Sequence, residues 1–131
     1  MSTAQKSRPT IDEGAAESRS TLVSVVIPCL DEAENIELCV RSALAALASG
    51  GLQGEVLVVD NDSEDRSAEL AESAGARVIH EPRRGYGSAY LAGFAAARGD
   101  YIVMADADLT YDFNEIPRFV AALDGLSLIH I

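Results

Sequence analysis

Short apolar runs and polar clusters alternate along the chain in a regular order. The apolar runs lie at residues 22–27, 55–59, 76–79 and 101–104, and polar or charged residues follow each of them. Each run is too short for a helix of ordinary length and indicates a strand, buried on both faces at 101–104. The segments between them have apolar residues at helical spacing. Strand, loop and helix therefore repeat, which predicts an α/β fold with a mainly parallel sheet flanked by helices and joined by right-handed crossovers.

Local signals predict where these elements begin and end. Pro28 is expected to end the first strand, because proline has no N–H to donate to a sheet. The acids and amide of Asp31–Asn35 are expected to cap the first helix. The apolar face of that helix is expected to contain Ile36, Leu38, Val40, Leu44 and Leu47. Further helices are expected at about residues 66–74, from the glycine-rich loop 85–88 onward, and from Glu115–Pro117.

Three segments divide the chain. Residues 1–20 are rich in Ser, Thr, Ala and charge without periodicity, so we expect a disordered tail. Residues 21–125 are expected to form a single domain. Residues 126–131 either begin a truncated strand or form a non-native tail, and we favour the second alternative. The chain as a whole is expected to be the N-terminal part of a longer protein.

Composition excludes several classes of function. The 131 residues, 48% of them apolar, suffice for one domain with a core. The net charge is -11, and since charges balance within the first twenty residues, the acidity argues against a nucleic-acid-binding surface. No apolar run has the length of a membrane span, and the N-terminus lacks a signal-peptide core. Cys29 and Cys39 have no metal-ligand spacing and indicate small buried residues in a reducing compartment.

Four polar clusters follow the four predicted strands. They are Pro28–Glu32, Asp60–Ser63, Arg83–Ser88 and Asp106–Asp108. The carboxyl ends of parallel strands meet at one edge of a sheet, and ligands bind in the crevice there. The sequence therefore predicts one binding site built from all four clusters.

Asp106 and Asp108 indicate a metal site. Strand alternation would point the two side chains to opposite sides, so we expect a turn at Ala107 that brings them together. Two close carboxylates repel each other, and a hard divalent cation such as Mg²⁺ or Mn²⁺ relieves the repulsion. A solvated acidic turn is the alternative.

Arg83 and Arg84 lie beside the backbone N–H groups of a glycine-rich loop. In an acidic domain this combination favours a phosphate ligand. Gly85 and Gly87 supply the beginning of a dinucleotide-binding fingerprint, but Tyr90 occupies the position of its third glycine. The loop also follows the third strand and not the first, so a nicotinamide cofactor is not expected.

A phosphatase is a rival interpretation of the same aspartates. The run Asp106–Thr110 fits the D-x-D-x-T pattern of haloacid-dehalogenase-like phosphatases, in which an aspartate attacks a phosphoryl group. That family carries its motif after the first strand of the domain. Here three strand-helix units precede the motif, so the topology disfavours a phosphatase.

Considered together, the motifs resemble the nucleotide-binding half of family-2, GT-A-type glycosyltransferases, and most closely polyprenyl (dolichyl) phosphate mannose or glucose synthases. The matching segments are Ser24–Pro28, Asp31–Ile36, Val58–Ser63, Arg84–Tyr90, Ala97–Ile102 and Asp106–Leu109. The resemblance implies a Rossmann-like GT-A fold. It also implies that Asp106 and Asp108 hold the metal on a sugar diphosphate. Pro28, Glu32 and Asp60 would then surround the nucleoside, with Arg84 near the phosphates. Leu30 stands where the family often has an aromatic residue.

The same resemblance implies metal-assisted, inverting transfer of a hexose. The donor would be a nucleotide sugar of the UDP-glucose or GDP-mannose type, and the acceptor a polyprenyl phosphate at the membrane surface. A cytoplasmic enzyme, peripheral at the inner face of the membrane, is implied. Because acceptor groups lie in the second half of such enzymes, this chain alone is expected to be inactive. A non-catalytic nucleotide-sugar-binding half is the alternative.

Overall fold

The computed structural model describes residues 3–6, 22–107, 112–122 and 128–130. The strands are β1 (Thr3–Lys6), β2 (Leu22–Cys29), β3 (Gln53–Asp60), β4 (Arg77–His80), β5 (Tyr101–Met104) and β6 (Leu128–His130). The helices are α1 (Ile36–Ser49), α2 (Ser67–Ala74), α3 (Tyr86–Ala96) and α4 (Ile116–Ala122), with a 3-10 turn at Phe113–Glu115. Within these residues, no helix is both long enough and apolar enough to cross a membrane.

The strands form one mixed sheet in the order β4-β3-β2-β5-β1-β6. Strands β4, β3, β2 and β5 are parallel, and β1 is antiparallel to β5 and β6. This confirms the predicted α/β fold with a parallel sheet flanked by helices. The chain builds outward from β2 to β4 and then returns to place β5 on the other side of β2. The connections therefore diverge between β2 and β5, which opens a crevice at their carboxyl ends.

Strand β1 lies inside the segment expected to be disordered. Residues Thr3–Lys6 pair with β5 and with β6, so the expectation does not hold for these four residues. Strand β5 would otherwise present an unpaired edge, and backbone pairing to such an edge needs no apolar pattern in the added strand. The other residues of the 1–20 segment lie outside the described part. Residues Leu128–His130, for which a strand and a non-native tail were both considered, form β6.

The core consists of two apolar layers, one on each face of the sheet. Val25 and Ile27 of β2 pack on the face covered by α1, while Val26 and the β3 residue Val59 pack on the face covered by α3. Burial on both faces explains why these strands have uninterrupted apolar runs. Helix α3 packs very close to the sheet, since a Cβ at Gly93 would lie 2.4 Å from a Val26 methyl carbon.

The predicted face of α1 was partly wrong. Ile36, Val40 and Leu47 are buried as expected, but Leu38 is 57% exposed. The buried stripe instead includes Cys39 and two alanines, Ala43 and Ala46. Small side chains let the helix approach the sheet, and a sequence count of large apolar residues does not detect them.

Strand β2 continues through Pro28, which pairs with Val59, so the expectation that this proline ends the strand is wrong. Alternate residues of a strand direct their backbone groups to opposite neighbours. The Val26 carbonyl accepts a hydrogen bond from the Ala105 amide at 3.0 Å, so Pro28, two residues further on, also faces the β5 side. Pairing between β2 and β5 ends at Val26 and Met104. The missing N–H of Pro28 therefore costs no hydrogen bond of the sheet.

A polar cluster joins the strands near their amino ends, opposite the crevice. The Glu55 carboxylate accepts hydrogen bonds from the Ser24 hydroxyl at 2.6 Å, from the Arg77 guanidinium at 2.9 Å and from the Arg98 amide at 2.8 Å. The Gly99 amide donates to the same Ser24 hydroxyl at 2.8 Å. This cluster ties β2, β3, β4 and the chain entering β5 together below the crevice.

The cluster controls the acidity of Glu55. Burial by itself would raise the pKa of the Glu55 carboxyl, but the hydrogen bonds from Ser24, Arg98 and Arg77 outweigh it and lower the pKa below its ordinary 4.5. The unfolded chain consequently binds this proton more tightly than the folded one. The contribution of Glu55 to stability is therefore complete above pH 4.5 and is lost as the pH falls through the lowered value.

We expect Glu55→Gln to lower the free energy of unfolding near neutral pH by about 1.5–3 kcal/mol, the range for hydrogen bonds to a charged group. The difference from the parent chain should shrink below pH 4.5. Urea unfolding at neutral and acid pH measures both quantities. Glu69→Gln is the control, because its exposed pair with Arg66 contributes at most about 1 kcal/mol. A difference for Glu55→Gln that does not change with pH would contradict this account.

Candidate functional site

A cleft of about 250 Å³ lies at the carboxyl ends of β2 and β5. The loops after β2, β3, β4 and β5 all contribute to it, as the strand order requires. Its lining residues are Pro28, Cys29, Leu30, Glu32, Asn61, Gly85, Tyr86, Asp106 and Ala107. The cleft is smaller than the roughly 300–1,000 Å³ of pockets that enclose a drug-sized ligand. It therefore has room for part of a larger ligand.

The loop after β2 is attached to the loop after β3 through Asp31. The Asp31 amide donates to the Ser63 hydroxyl at 3.0 Å, and the Asp31 carboxylate accepts from the Glu64 amide at 2.8 Å. Asp31 adopts a positive φ of 53° to make these contacts. The segment Asp31–Asn35 was expected to cap α1, and Asn35 occupies the cap position, although its side chain makes no hydrogen bond there. Asp31 serves the neighbouring loop instead.

A second attachment fixes the backbone of Glu32. Its amide donates to the Ser67 hydroxyl at 2.9 Å, and Ser67 in turn donates to the Asp65 carboxylate. Asp65 also accepts from the Ala33 amide at 3.1 Å. The hydrogen bond from Ser67 lowers the pKa of the Asp65 carboxyl, so Asp65 stays ionised and keeps these bonds. The half-buried Glu32 side chain is thereby held at the wall of the cleft.

Asn61 attaches the loop after β4 to the loop after β3. Its side-chain amide donates to the carbonyls of Glu81 at 3.0 Å and of Arg83 at 2.7 Å, and its carbonyl accepts from the Gly85 amide at 2.8 Å. Asn61 is only 4% exposed. The sequence places Asn61 in a polar cluster and predicts no role for it. Its side-chain type could have indicated the role. An amide can donate and accept hydrogen bonds at the same time, so it can pair with both the carbonyl and the N–H groups of a loop.

Asp60 is not brought to the cleft. Its side chain is buried, with Oδ2 3.2 Å from Nδ1 of His80, and its other oxygen has no hydrogen-bond partner among the described residues. It lines a neighbouring pocket together with Glu69 and His80. The cause is strand alternation, because consecutive residues of β3 point to opposite faces and Asn61 takes the side of the cleft.

Arg84 lies at the margin of the site and does not line the cleft. Its guanidinium donates to the Asp62 carboxylate at 3.2 Å and to the Asp62 carbonyl at 3.1 Å, with Glu64 at 3.8 Å. The Arg83 guanidinium similarly pairs with Glu81 at 3.2 Å. The Arg84 side chain is half-exposed, and ion pairs in such a setting contribute little. Arg84 can therefore exchange its acid partners for an anionic ligand at low cost.

Asp106 stands at the end of β5 and faces the cleft. The Ala105 amide still pairs with the Val26 carbonyl at 3.0 Å, and the chain turns at Ala107, as the sequence predicted. The Tyr90 hydroxyl donates to Oδ1 of Asp106 at 3.4 Å. Asp108 lies outside the described residues. In the part of the chain that the structure describes, no three Asp, Glu, His or Cys side chains are grouped as metal ligands.

The thiol of Cys29 lines the cleft without being reactive. Burial raises its pKa to about 11, so the thiol stays protonated at neutral pH. The thiolate, and not the thiol, is the nucleophilic form. Cys29 therefore contributes shape to the cleft and offers no nucleophile. Cys39 is likewise buried, and its Sγ lies 3.6 Å from the Asp106 carbonyl oxygen.

Comparison with known proteins identifies relatives of this chain. It is 48% identical over 98 residues to a hexosyltransferase of low-salt glycan biosynthesis from Haloferax volcanii, covering 75% of this chain. It is 42% identical over 109 residues to an undecaprenyl-phosphate 4-deoxy-4-formamido-L-arabinose transferase from Edwardsiella ictaluri, covering 78% of this chain. The crystal structure of glucosyl-3-phosphoglycerate synthase from Mycobacterium tuberculosis, in complex with Mn²⁺, UDP-glucose and phosphoglyceric acid, superposes with a TM-score of 0.61 at 33% identity over 90% of this chain.

The chain spans 24% and 34% of the lengths of the two curated relatives and 44% of the crystallised synthase. The similarity thus concerns one portion of each of these proteins. Within the chain itself the match is extensive, because residues 24–128 match the family described as glycosyl transferase family 2. This range begins at the third residue of β2 and includes β3, β4, β5 and every loop that lines the cleft. The chain therefore belongs to glycosyl transferase family 2.

Proposed function

We propose that this chain binds the nucleotide-sugar donor of a hexosyltransferase that acts by metal-assisted, inverting transfer. The observation that carries the proposal is the convergence of four strand-end loops on one cleft between β2 and β5, with the Asp106 carboxylate in its wall. Ligands of open α/β sheets bind at such a point. The cleft offers apolar surface at Pro28 and Leu30, while the cationic Arg84 lies at its margin. A nucleoside diphosphate has matching apolar and anionic parts.

A divalent cation suits the carboxylate oxygens at the carboxyl end of β5. Asp106 supplies a half-buried carboxylate oxygen that accepts one hydrogen bond from Tyr90, and oxygen donors of this kind suit Mg²⁺ and Mn²⁺. Asp106 and Asp108 are the residues that would hold the ion. Bound there, a divalent cation would neutralise charge that grows on the departing nucleoside diphosphate. The Mn²⁺ and UDP-glucose named for the crystallised synthase support this part of the proposal.

The residues of this chain bind and orient the donor. The acceptor phosphate then attacks without help from a general base. Glu32 and Pro28 line the cleft, where they would border the nucleoside, and the buried Asp60 supports this region through its contact with His80 at the end of β4. Arg84 would bind the phosphates after releasing Asp62. An acceptor phosphate oxygen attacks the anomeric carbon in line, and the bond from that carbon to the diphosphate breaks. Because a phosphate is already ionised at neutral pH, the step needs no strong general base.

A polyprenyl phosphate is the proposed acceptor. The curated undecaprenyl-phosphate transferase is 42% identical to this chain, whereas the synthase crystallised with phosphoglyceric acid is 33% identical. The higher identity favours a lipid phosphate over phosphoglycerate. A donor of the UDP-glucose or GDP-mannose type is proposed because the crystallised synthase binds UDP-glucose, and the proposed lipid acceptor implies a reaction at a membrane surface.

We expect the chain to bind UDP or GDP in the presence of Mn²⁺ and to lose most of that affinity when a chelator removes the metal. Asp106→Asn should weaken binding at least about 10-fold, since losing even an outer partner of a metal site has that effect. Titration calorimetry measures the affinities. Glu34→Gln is the matched control, because this exposed acid lies on the loop after β2 and does not line the cleft. Equal affinity with and without chelator would refute the metal-dependent site.

Arg84→Ala should weaken the binding of a nucleoside diphosphate by about 1.5–3 kcal/mol, the range for a hydrogen bond to a charged group. It should barely change the binding of the free nucleoside, which has no phosphate. Arg83→Ala is the control, because this neighbouring arginine is more exposed and pairs with Glu81. If Arg84→Ala weakens nucleoside and diphosphate equally, the loop does not bind phosphate.

A further inference from the structure

Tyr86 is the large aromatic residue in the wall of the cleft, and its position is fixed by its neighbours. It begins α3, directly after Gly85, whose φ of 127° turns the chain into the helix. The Gly85 amide is held by the Asn61 side chain at 2.8 Å. The start of α3 is therefore attached to the carboxyl end of β3, and the backbone that carries the tyrosine ring is held at the cleft.

A second aromatic ring lies beside the Tyr86 ring. Tyr90, one helical turn later, stacks on it with ring centroids 6.2 Å apart and an interplanar angle of 20°. Tyr86 is nevertheless 69% exposed. At this distance the two rings are offset, so most of the Tyr86 ring, including the face turned away from Tyr90, is open to a ligand. An exposed aromatic face that is backed by a second ring is a ready platform for a flat, apolar group.

The other apolar walls of the cleft support a flat ligand. Leu30, from the loop after β2, also lines the cleft and is 39% exposed, and Pro28 and Ala107 add apolar surface. Leu30 can pack against a base but has no π face to stack on it. Among the described residues that line the cleft, Tyr86 alone is aromatic.

We infer that Tyr86 is the stacking platform for the nucleobase of the donor. The inference rests on the proposed function and adds to it a residue that recognises the base. Stacking makes no hydrogen bonds with base edges, so the platform accepts both pyrimidine and purine bases. A sugar ring has less flat surface than a base, and the paired parallel rings of Tyr86 and Tyr90 suit the base better.

The Tyr86–Tyr90 stack also lies close to the carboxylate of the site. The Tyr90 hydroxyl contacts Asp106 while its ring supports Tyr86. The start of α3 consequently carries the base platform and also contacts the Asp106 carboxylate. A donor whose base stacks on Tyr86 would therefore have its diphosphate directed toward the end of β5.

Titration calorimetry with UDP, GDP, UDP-glucose and inorganic pyrophosphate, each with Mn²⁺, tests the inference. Tyr86→Ala should weaken UDP and GDP roughly 5- to 150-fold, which corresponds to the usual contribution of one stacked base. It should leave pyrophosphate binding unchanged. Tyr86→Phe should bind like the parent chain, because the ring is retained. Leu91→Ala is the matched control, since Leu91 is also 69% exposed on α3 but does not line the cleft.

Each remaining outcome identifies what fails. If the parent chain binds UDP and Tyr86→Ala binds it equally well, the stacking role is refuted and the proposed function stands. If Tyr86→Ala weakens UDP-glucose but not UDP, the ring contacts the sugar and the inference is refuted. If the parent chain binds neither UDP nor GDP with Mn²⁺, the proposed function fails and the inference fails with it.

Discussion

The geometry of the cleft depends on one buried amide, that of Asn61. Its three hydrogen bonds hold the backbone from Glu81 to Gly85 against the end of β3. That segment connects β4 to α3, and it has no regular secondary structure of its own. Burying an amide is costly unless its groups are paired, and here both the carbonyl and the NH₂ group have partners. The position of α3, and with it the position of Tyr86, follows from this clamp.

The amino and carboxyl ends of the parallel strands use polar groups in different ways. At the amino ends, the charge of Glu55 is matched by Arg77 and by hydrogen bonds from Ser24 and Arg98, so these groups are not available to a ligand. At the carboxyl ends of the strands, Asp106 lines an open cleft, and Arg84 pairs with exposed acids that a ligand can replace. Polar groups that are fully paired within the chain stabilise the fold, whereas groups with replaceable partners can bind a ligand. This division follows the general rule that ligands of parallel sheets meet the carboxyl ends of the strands.

Sequence reasoning predicted the features that depend on local pattern. The strand at Tyr101–Met104, the turn at Ala107 and the end of α2 at Ala74 each have a local signal, and the structure contains all three. Roles that depend on a distant partner were missed. Asp31 reaches the loop after β3, and Asn61 reaches the loop after β4, so neither role is visible from adjacent residues. Thr3–Lys6 pairs with β5, a strand almost a hundred residues later in the chain.

The central claim is that a metal-bound nucleoside diphosphate occupies the cleft between β2 and β5. Paramagnetic relaxation by Mn²⁺ in NMR spectra of the chain with UDP tests it most directly, because the ion broadens signals only from nearby nuclei. The account predicts strong broadening at Asp106, Ala107 and Tyr90, with the amides of Glu55 and Gly99 at the opposite edge unaffected. Broadening centred instead on Glu69 and His80, in the pocket beside Asp60, would contradict it.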